Sequence, residues 1–254
     1  MTDGPIPQSH GILYLIPTNL SAPFSPAAIL PPDVAARARS LNHFVAENAK
    51  SARAFLHAIG VTRPLAEISI VELDKHAQSV DWACLLAPLL AGHDVGLVSE
   101  AGAPAVADPG AQVVAAAHRA DLTVRPLVGP SSILLALMAS GLNGQSFAFH
   151  GYLPQDKTAQ SQAIAAFERE SRQKHMTQMF IETPYRNRST MHALLQTLAA
   201  DTALCMASDL TGANEQVCSK LVSQWRTEPD AANKLPTMFL FLAASLHISR
   251  GRTR

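Results

Sequence analysis

The sequence has few cysteines and no recognisable metal-binding pattern. Its three cysteines, Cys84, Cys205 and Cys218, form neither a CxxC pair nor a Cys/His ligand spacing. An odd, scattered set of this kind is typical of buried, reduced thiols in a reducing compartment. The ten histidines include no HxH or HxxxH pair. The sequence therefore predicts a protein that holds no metal.

Long apolar runs and a net charge are also lacking. The apolar stretches at 133–138 and 238–246 are too short to span a membrane. The first residues have neither the basic nor the apolar region of a signal peptide, so we expect a cytoplasmic protein without a membrane partner. Twenty basic and twenty acidic residues cancel, so no field of the whole protein attracts a polyanion. A nucleic-acid partner would need a local basic patch.

The chain does have enough apolar residues for a sizeable core. Its 254 residues, 48% of them hydrophobic, fit one large or two modest α/β domains. In the first half, short apolar segments alternate with helical patterns, which predicts a mostly parallel sheet with right-handed crossovers. Later, the apolar segments 217–222 and 237–243 are too close for a βαβ unit, which predicts antiparallel pairing. We place an N-terminal α/β domain at 1–126 and a C-terminal α/β domain with a mixed sheet at 127–254.

One loop, at 99–110, is unusually rich in residues that fix or free the backbone. It follows the apolar run 95–98 and precedes a helical pattern, so it lies at the carboxyl end of a strand, where open α/β sheets bind ligands. Gly102 permits backbone angles and close approaches that other residues do not. The carboxylates of Glu100 and Asp108 have two open interpretations. They face a ligand, or they brace the loop by accepting backbone N–H bonds.

Three more strand ends carry polar or Gly/Pro residues. The segment 129–132, Gly-Pro-Ser-Ser, precedes a helix and is either an ordinary cap or an anion site. In the segment 180–186, Glu182 and Arg186 are spaced as an i,i+4 pair, a contact of about 0.2–0.5 kcal/mol on a helix surface. The segment 207–212 adds a fourth strand end with a carboxylate. We expect the four to converge on one cleft between the domains.

Four ordered segments carry a family resemblance that extends from about Leu13 to Leu242. They are LVSEAGAPAVADPG, PLVGPSSILLALMASGL, FAFHGYLP and FIETPYR. Together they resemble the S-adenosylmethionine-dependent tetrapyrrole methylase superfamily, and within it most resemble the ribosomal RNA small subunit ribose-2'-O methyltransferase I branch. The resemblance implies a homodimer of two-domain α/β chains that bind S-adenosyl-L-methionine in the cleft between the domains and methylate a ribose hydroxyl of ribosomal RNA.

The resemblance also implies the residues of the site. The cofactor would contact Pro17, Ser99, Glu100, Ala101, Gly102, Val106, Asp108, Ser131, Ser132, Phe180, Ile181, Leu210, Pro236 and Thr237. The acceptor ribose needs a base or a polarising cation near the methyl group. The candidate catalytic residues are Glu47, Asp108 and Lys50, and the candidate acceptor-side residues are Tyr185 and Arg186.

Two segments depart from the RNA-modifying pattern. Pro17-Thr18-Asn19-Leu20 keeps the Asn-Leu of a Gly-Asn-Leu loop but lacks its glycine. Ala46-Glu47-Asn48-Ala49-Lys50 replaces an Ala-Glu-Asp-Thr-Arg sequence, and lysine lacks the bidentate fork of arginine. Two other readings therefore stay open. One is a methyltransferase with a different acceptor, such as a tetrapyrrole or another macromolecule, and the other is a non-catalytic cofactor-binding dimer.

Overall fold

The computed structural model describes residues 10–21, 25–73, 81–228 and 234–243 of the chain. The chain divides into two units, Met1–Ser131 and Ser132–Arg254. The first unit contains strands β1 (Ile12–Ile16), β2 (His43–Ala46), β3 (Ser69–Glu72), β4 (Val95–Val98) and β5 (Thr123–Pro126), and helices α1 (Pro26–Ile29), α2 (Pro32–Ser40), α3 (Ala49–Ala58), α4 (Trp82–Leu90) and α5 (Gly110–Arg119).

The sheet of the first unit is parallel throughout, in the order β3-β2-β4-β1-β5. Helices α2 and α3 pack on one face, where Tyr14 and Phe44 are buried. Helices α4 and α5 pack on the other face, where Leu13 and Val95 are buried. Because the central strands are covered on both sides, they read as continuous apolar runs rather than as alternating ones.

This strand order creates a switch point between the neighbouring strands β1 and β4. The chain leaves β1 toward β2 on one side and leaves β4 toward β5 on the other. The helices that follow the two strands therefore lie on opposite faces, and the two loops separate at the carboxyl edge. That divergence leaves a crevice, which is where ligands bind in open α/β sheets.

The second unit has a mixed sheet. Its elements are α6 (Ser132–Ser140), β6 (Phe147–Tyr152), α7 (Lys157–Lys174), β7 (Thr177–Glu182), α8 (Asn187–Thr197), β8 (Ala203–Ser208), β9 (Gln216–Leu221), α9 (Val222–Trp225) and β10 (Thr237–Leu242). The order is β6-β7-β10-β8-β9, with β6 and β7 parallel and the other neighbours antiparallel. Phe180, Phe239 and Trp225 lie in its core, and the Trp225 indole donates to the carbonyl of Leu204 at 2.8 Å.

The structure confirms the expected fold class of a parallel sheet followed by a mixed one, and corrects two details. The Pro, Ser and Asn residues of the segment 18–32 predict an irregular loop, but the segment contains α1, and α2 begins at Pro32 because proline fits the first helical turn. Cys84 was expected to be buried and is exposed, whereas burial raises the pKa of the Cys205 thiol to about 12. Within the described ranges, no helix is long and apolar enough to cross a membrane.

Candidate functional site

Hydrogen bonds join the loops that follow β1 and β4. The Thr18 N–H donates to the Gly102 carbonyl at 2.9 Å, and the Gly102 N–H donates to the Asn19 carbonyl at 3.3 Å. The Ser99 hydroxyl donates to the Gly102 carbonyl at 3.1 Å, and the Thr18 hydroxyl donates to the Ser99 carbonyl at 3.3 Å. These bonds fix the backbone of the two loops at the switch point.

Two glycines let the loops at this edge approach one another. Gly102 has φ +71°, and a Cβ there would lie 2.9 Å from Leu20 Cδ2 and 3.6 Å from the Pro130 carbonyl oxygen. A Cβ on Gly129 would lie 2.4 Å from Pro17 Cβ. The loop after β5 therefore packs against the loops after β1 and β4. Within the first unit, the structure brings Pro17, the segment 99–102 and the segment ending at Ser131 to one edge.

Asp108 braces the loop after β4. Its carboxylate accepts the Ala105 N–H at 3.0 Å and the Gly110 N–H at 2.7 Å. The loop between them is strained, since Ala105 and Ala107 have φ values of 66° and 61°. Of the two interpretations of this carboxylate, its contacts favour the brace. In the same loop Glu100, Ala101 and Val106 are exposed.

The brace predicts different outcomes for two substitutions. Asp108→Ala removes the acceptor of both N–H groups, and we expect cofactor affinity to fall about tenfold, since an unsatisfied group costs about 1–3 kcal/mol. Asp108→Asn keeps an oxygen acceptor, and we expect it to retain most of the activity. Isothermal titration with S-adenosylmethionine and methyl-transfer rates measure both effects. A loss of turnover in Asp108→Asn with intact cofactor binding would instead assign Asp108 to proton transfer.

The end of β2 places two more predicted residues at this edge. Glu47 follows the strand directly and is half-buried, and Lys50 is exposed in the first turn of α3. Between them Asn48 caps α3, with its side-chain oxygen accepting the N–H groups of Lys50 at 2.9 Å and Ser51 at 3.1 Å. Asparagine and aspartate cap helices equally well. The departure at position 48 therefore keeps the local structure.

In the second unit, a buried polar cluster surrounds Thr237 at the start of β10. Thr237 pairs with Glu182 on one side and Ser208 on the other. The Asn187 side-chain amide donates to the Thr237 hydroxyl at 3.0 Å, and the Ser208 and Thr237 hydroxyls lie 2.8 Å apart. Sequence reasoning proposed Thr237 and included Ser208 in the candidate segment 207–212, but it assigned no role to Asn187. The position of Asn187 at a helix start was the available signal.

Glu182 and Arg186 form the pair that their spacing suggested, but in a different setting. The Arg186 guanidinium lies 3.2 Å from the Glu182 carboxylate, whose side chain is 0% exposed. Arg186 also donates to the Leu153 and Pro154 carbonyls at 3.4 and 3.3 Å. This arginine therefore holds the end of β6 to the end of β7. Its neighbour Tyr185 is 80% exposed.

The loop after β8 resembles the loop braced by Asp108, since it also combines left-handed backbone with a carboxylate that accepts a backbone N–H. Asp209 and Thr211 have φ values of 51° and 68°. The Asp209 carboxylate accepts the Asn214 N–H at 2.8 Å, and a Cβ on Gly212 would lie 2.3 Å from that carboxylate. Leu210 is buried, and the Thr211 hydroxyl is buried with no hydrogen-bond partner among the described residues.

The other residues of the second unit that were predicted to contact the cofactor differ in their exposure to solvent. Phe180 is fully buried in the core, Ile181 is half-buried, Ser132 is half-buried at the start of α6, and Pro236 is exposed. Phe180 therefore supports a site through its backbone or through packing. Across the described part of the chain, no group of three or more His, Cys, Asp or Glu side chains is placed to hold a metal ion.

Comparison with known families decides the family. Residues 30–224 match the model of the tetrapyrrole (corrin/porphyrin) methylases, which is more than half of the chain. This chain belongs to the tetrapyrrole methylase family. The matched region of the methylase includes the segments after β2, β4, β5, β7 and β8. The resemblance inferred from the four sequence segments is confirmed.

Several relatives share one name, ribosomal RNA small subunit methyltransferase I. The protein from Synechocystis sp. is 31% identical over 81% of the methylase and 69% of its own length. The protein from Bacillus subtilis is 30% identical over 86% of the methylase and 71% of its own length, and the one from Escherichia coli O157:H7 is 30% identical over 80% and 66%.

A solved structure supports the fold. Uroporphyrin-III-C-methyltransferase from Thermus thermophilus matches with a TM-score of 0.52 at 18% identity, covering 91% of the methylase and 92% of that chain. At this identity the match shows the fold alone. The combination of a parallel and a mixed sheet is therefore that of a known methyltransferase structure.

Proposed function

We propose that this methylase transfers the methyl group of S-adenosyl-L-methionine to a ribose hydroxyl of small-subunit ribosomal RNA. The observation that carries the proposal is the similarity, over 81% and 86% of the chain, to proteins named for methylating that RNA. The bonded loops at the switch point of the first unit agree with it, because they offer preset backbone groups at a ligand-binding edge.

Each unit, taken by itself, offers groups that fit the cofactor. In the first unit the loops at Pro17, 99–102 and 106–108 offer backbone carbonyls and apolar side chains. In the second unit the buried Thr211 hydroxyl has no hydrogen-bond partner among the described residues, and the preceding Leu210 is buried. When bound, S-adenosylmethionine supplies an electrophilic methyl group on a sulfonium. The chain contributes alignment, and a positioned acceptor gains much of the rate because the entropy of approach has already been lost.

The acceptor side of the proposal uses the end of β2. Glu47 is the candidate that takes the proton of the ribose hydroxyl, and Lys50 is the candidate that polarises it. Asp108 acts as a positioning residue through the loop that it braces. Tyr185 is exposed and offers a ring and a hydroxyl to the RNA, whereas Arg186 supports that segment through its pair with Glu182.

Labelled cofactor and small ribosomal subunits test the proposal. The subunits come from a strain that lacks its own enzyme of this kind, so that the acceptor hydroxyl is free. We expect label in RNA, and we expect the labelled linkage to resist alkali because methylation removes the hydroxyl that attacks the phosphodiester. Label in alkali-sensitive linkages would place the methyl on a base. No label, with cofactor binding intact, would contradict RNA as the acceptor.

A tetrapyrrole acceptor is the second candidate, favoured by the description of the matched family. Incubation with labelled cofactor and a uroporphyrinogen, the acceptor class suggested by the matched Thermus thermophilus protein, separates the two. We expect no transfer to it. Label in the tetrapyrrole would show that the acceptor is a tetrapyrrole and would leave S-adenosylmethionine as the proposed cofactor. Binding of cofactor without turnover on either acceptor would favour a non-catalytic dimer.

We also propose a homodimer, which the family resemblance implies. Helix α6 supports it by exposing two apolar side chains one turn apart, Leu134 at 54% and Met138 at 78%. Large apolar side chains grouped on a surface mark contact sites. Sedimentation equilibrium measures the mass of the particle, and a chain that stays monomeric at micromolar concentration would contradict the dimer.

A further inference from the structure

Helix α3 presents one exposed face of basic side chains. Lys50, Arg53 and His57 are exposed and are spaced i, i+3 and i+7, which places them on one side of the helix. Phe55 and Leu56 are buried on the opposite side. We call the three residues the α3 basic face. It extends about 10 Å along the helix axis at 1.5 Å per residue, and α3 contains no acidic residue.

Charge is concentrated in this part of an otherwise neutral chain. Residues 32–63 hold five of the 20 Lys and Arg residues and two of the 20 Asp and Glu residues. Three of the five basic residues already have partners in the fold. Arg37 lies 3.9 Å from the Asp94 carboxylate. Arg39 donates to the Ile59 carbonyl at 2.9 Å, and Arg63 donates to the carbonyls of Arg39 and Leu41. The side chains of Lys50 and Arg53 form no ion pair with a described residue.

Basic side chains of the second unit are neutralised to a greater degree. On α7, Lys174 pairs with Glu170 at 2.6 Å and Arg172 pairs with Asp201 at 3.5 Å. On β9, Lys220 pairs with Glu228 at 2.5 Å. Neutralised cations have little left to offer a polyanion. The α3 basic face therefore stands out because it places two cations, Lys50 and Arg53, one turn apart and available to an external partner.

The α3 basic face begins at the edge that carries the proposed site. Helix α3 starts directly after β2, and β2 is the hydrogen-bonded neighbour of β4. Lys50, in the first turn, lies at the carboxyl edge of the sheet, and Arg53 and His57 continue away from it. A chain of phosphates that follows this face would end where β2 and β4 end.

We propose that the α3 basic face binds the phosphate backbone of the RNA substrate. The inference rests on the proposed function, because RNA is the polyanion that this function requires. Two cations and an imidazole N–H along one line match repeated phosphates, which are bound by Lys and Arg side chains independently of sequence. The face positions RNA, and sequence selection lies elsewhere.

Arg53→Glu tests this role without touching Lys50 or Glu47. We expect the KM for small ribosomal subunits to rise about tenfold or more, since a charge-assisted bond to phosphate is lost. The affinity for S-adenosylmethionine should stay unchanged. Filter binding with small-subunit RNA measures the slope of log affinity against log salt. The magnitude of this negative slope should fall by about 0.7 for the one contact that is lost. Arg53→Lys keeps the charge, so its KM for small ribosomal subunits and its salt slope should stay close to those of the unaltered chain.

Arg119→Glu is the matched control. Arg119 is exposed in the last turn of α5, and α5 packs on the other face of the same sheet. Arg119→Glu carries the same charge reversal as Arg53→Glu, and we expect it to have the KM and the salt slope of the unaltered chain. Thermal unfolding checks that both variants are folded.

The binding measurement separates this inference from the proposed function. If the chain binds RNA with a salt slope that Arg53→Glu lowers, the α3 basic face is supported even where no methyl transfer follows. If Arg53→Glu and Arg119→Glu both have the KM and the salt slope of the unaltered chain, the proposed role of the α3 basic face is wrong, while the proposed methylation of RNA stands. A chain without affinity for RNA overturns both.

Discussion

Replacing Gly102 with valine is expected to lower methyl transfer about 100-fold or more, in line with the effect of a 1 Å misplacement at a site. Gly102 has φ +71°, which a β-branched residue adopts only with strain. Its Cβ would also lie 2.9 Å from Leu20 Cδ2. To relieve both, the loop must move, and the bonds from Thr18 and to Asn19 would lengthen or break. The switch point would then lose its preset backbone.

Gly60→Val separates this effect from backbone strain. Gly60 has φ +81°, and a Cβ there meets nothing within 4 Å. It follows the C-terminal end of α3, away from the carboxyl edge of the sheet. Cofactor affinity and kcat/KM should fall in Gly102→Val alone, while both variants lose a similar amount of stability from the strained φ. Equal activity in the two variants would remove Gly102 from the site.

Removing the Glu182 carboxylate is expected to destabilise the protein by about 3–5 kcal/mol, the usual cost of breaking a buried ion pair. In Glu182→Ala, the guanidinium of Arg186, whose side chain is 19% exposed, loses its charged partner. The Thr190 hydroxyl and the Thr183 N–H lose acceptors at 2.9 and 2.8 Å. The midpoint of thermal unfolding should fall by about 10 °C for a domain of this size.

Two variants test why the loss is large. Glu170→Ala breaks the exposed pair with Lys174 on α7 and should cost less than about 1 kcal/mol. Glu182→Leu combined with Arg186→Leu removes both charges, and it should recover part of the stability because no charge stays buried alone. Chemical denaturation measures all three. A cost for Glu182→Ala no greater than that for Glu170→Ala would show that the Glu182 pair contributes little.

The place of the loop 99–110 in the fold was readable from sequence because one short segment carries the whole signal. The loop 99–110 combines a preceding apolar run, Gly102 and two prolines within the 16 residues 95–110, and the structure places it at a strand end. The roles of its side chains were not readable. The Asp108 carboxylate accepts the N–H groups of Ala105 and Gly110. This contact depends on the left-handed backbone at Ala105 and Ala107.

Arg186 shows the same limit in the second unit. Its spacing from Glu182 suggested a surface helix pair of small energy. The pair instead joins the end of a strand to the start of a helix, and Arg186 also binds the Leu153 and Pro154 carbonyls, which are more than 30 residues away. Similarly, Asn187 reaches Thr237 across 50 residues. Such partners follow from strand order and register, which no local pattern encodes.

The sequence by itself determined most of the strands and helices, the fold class and the family, because each depends on the pattern of neighbouring residues. Apolar runs buried on both faces, prolines at helix starts and glycines at strand ends all act within a few residues. Only the tertiary structure decided that β1 and β4 are neighbours, that Asp108 and Arg186 are held by the fold, and that the cations of α3 form no ion pair within the described part of the chain. Those outcomes depend on which distant groups meet, and the energy of a polar or charged group is set by the partner that it meets.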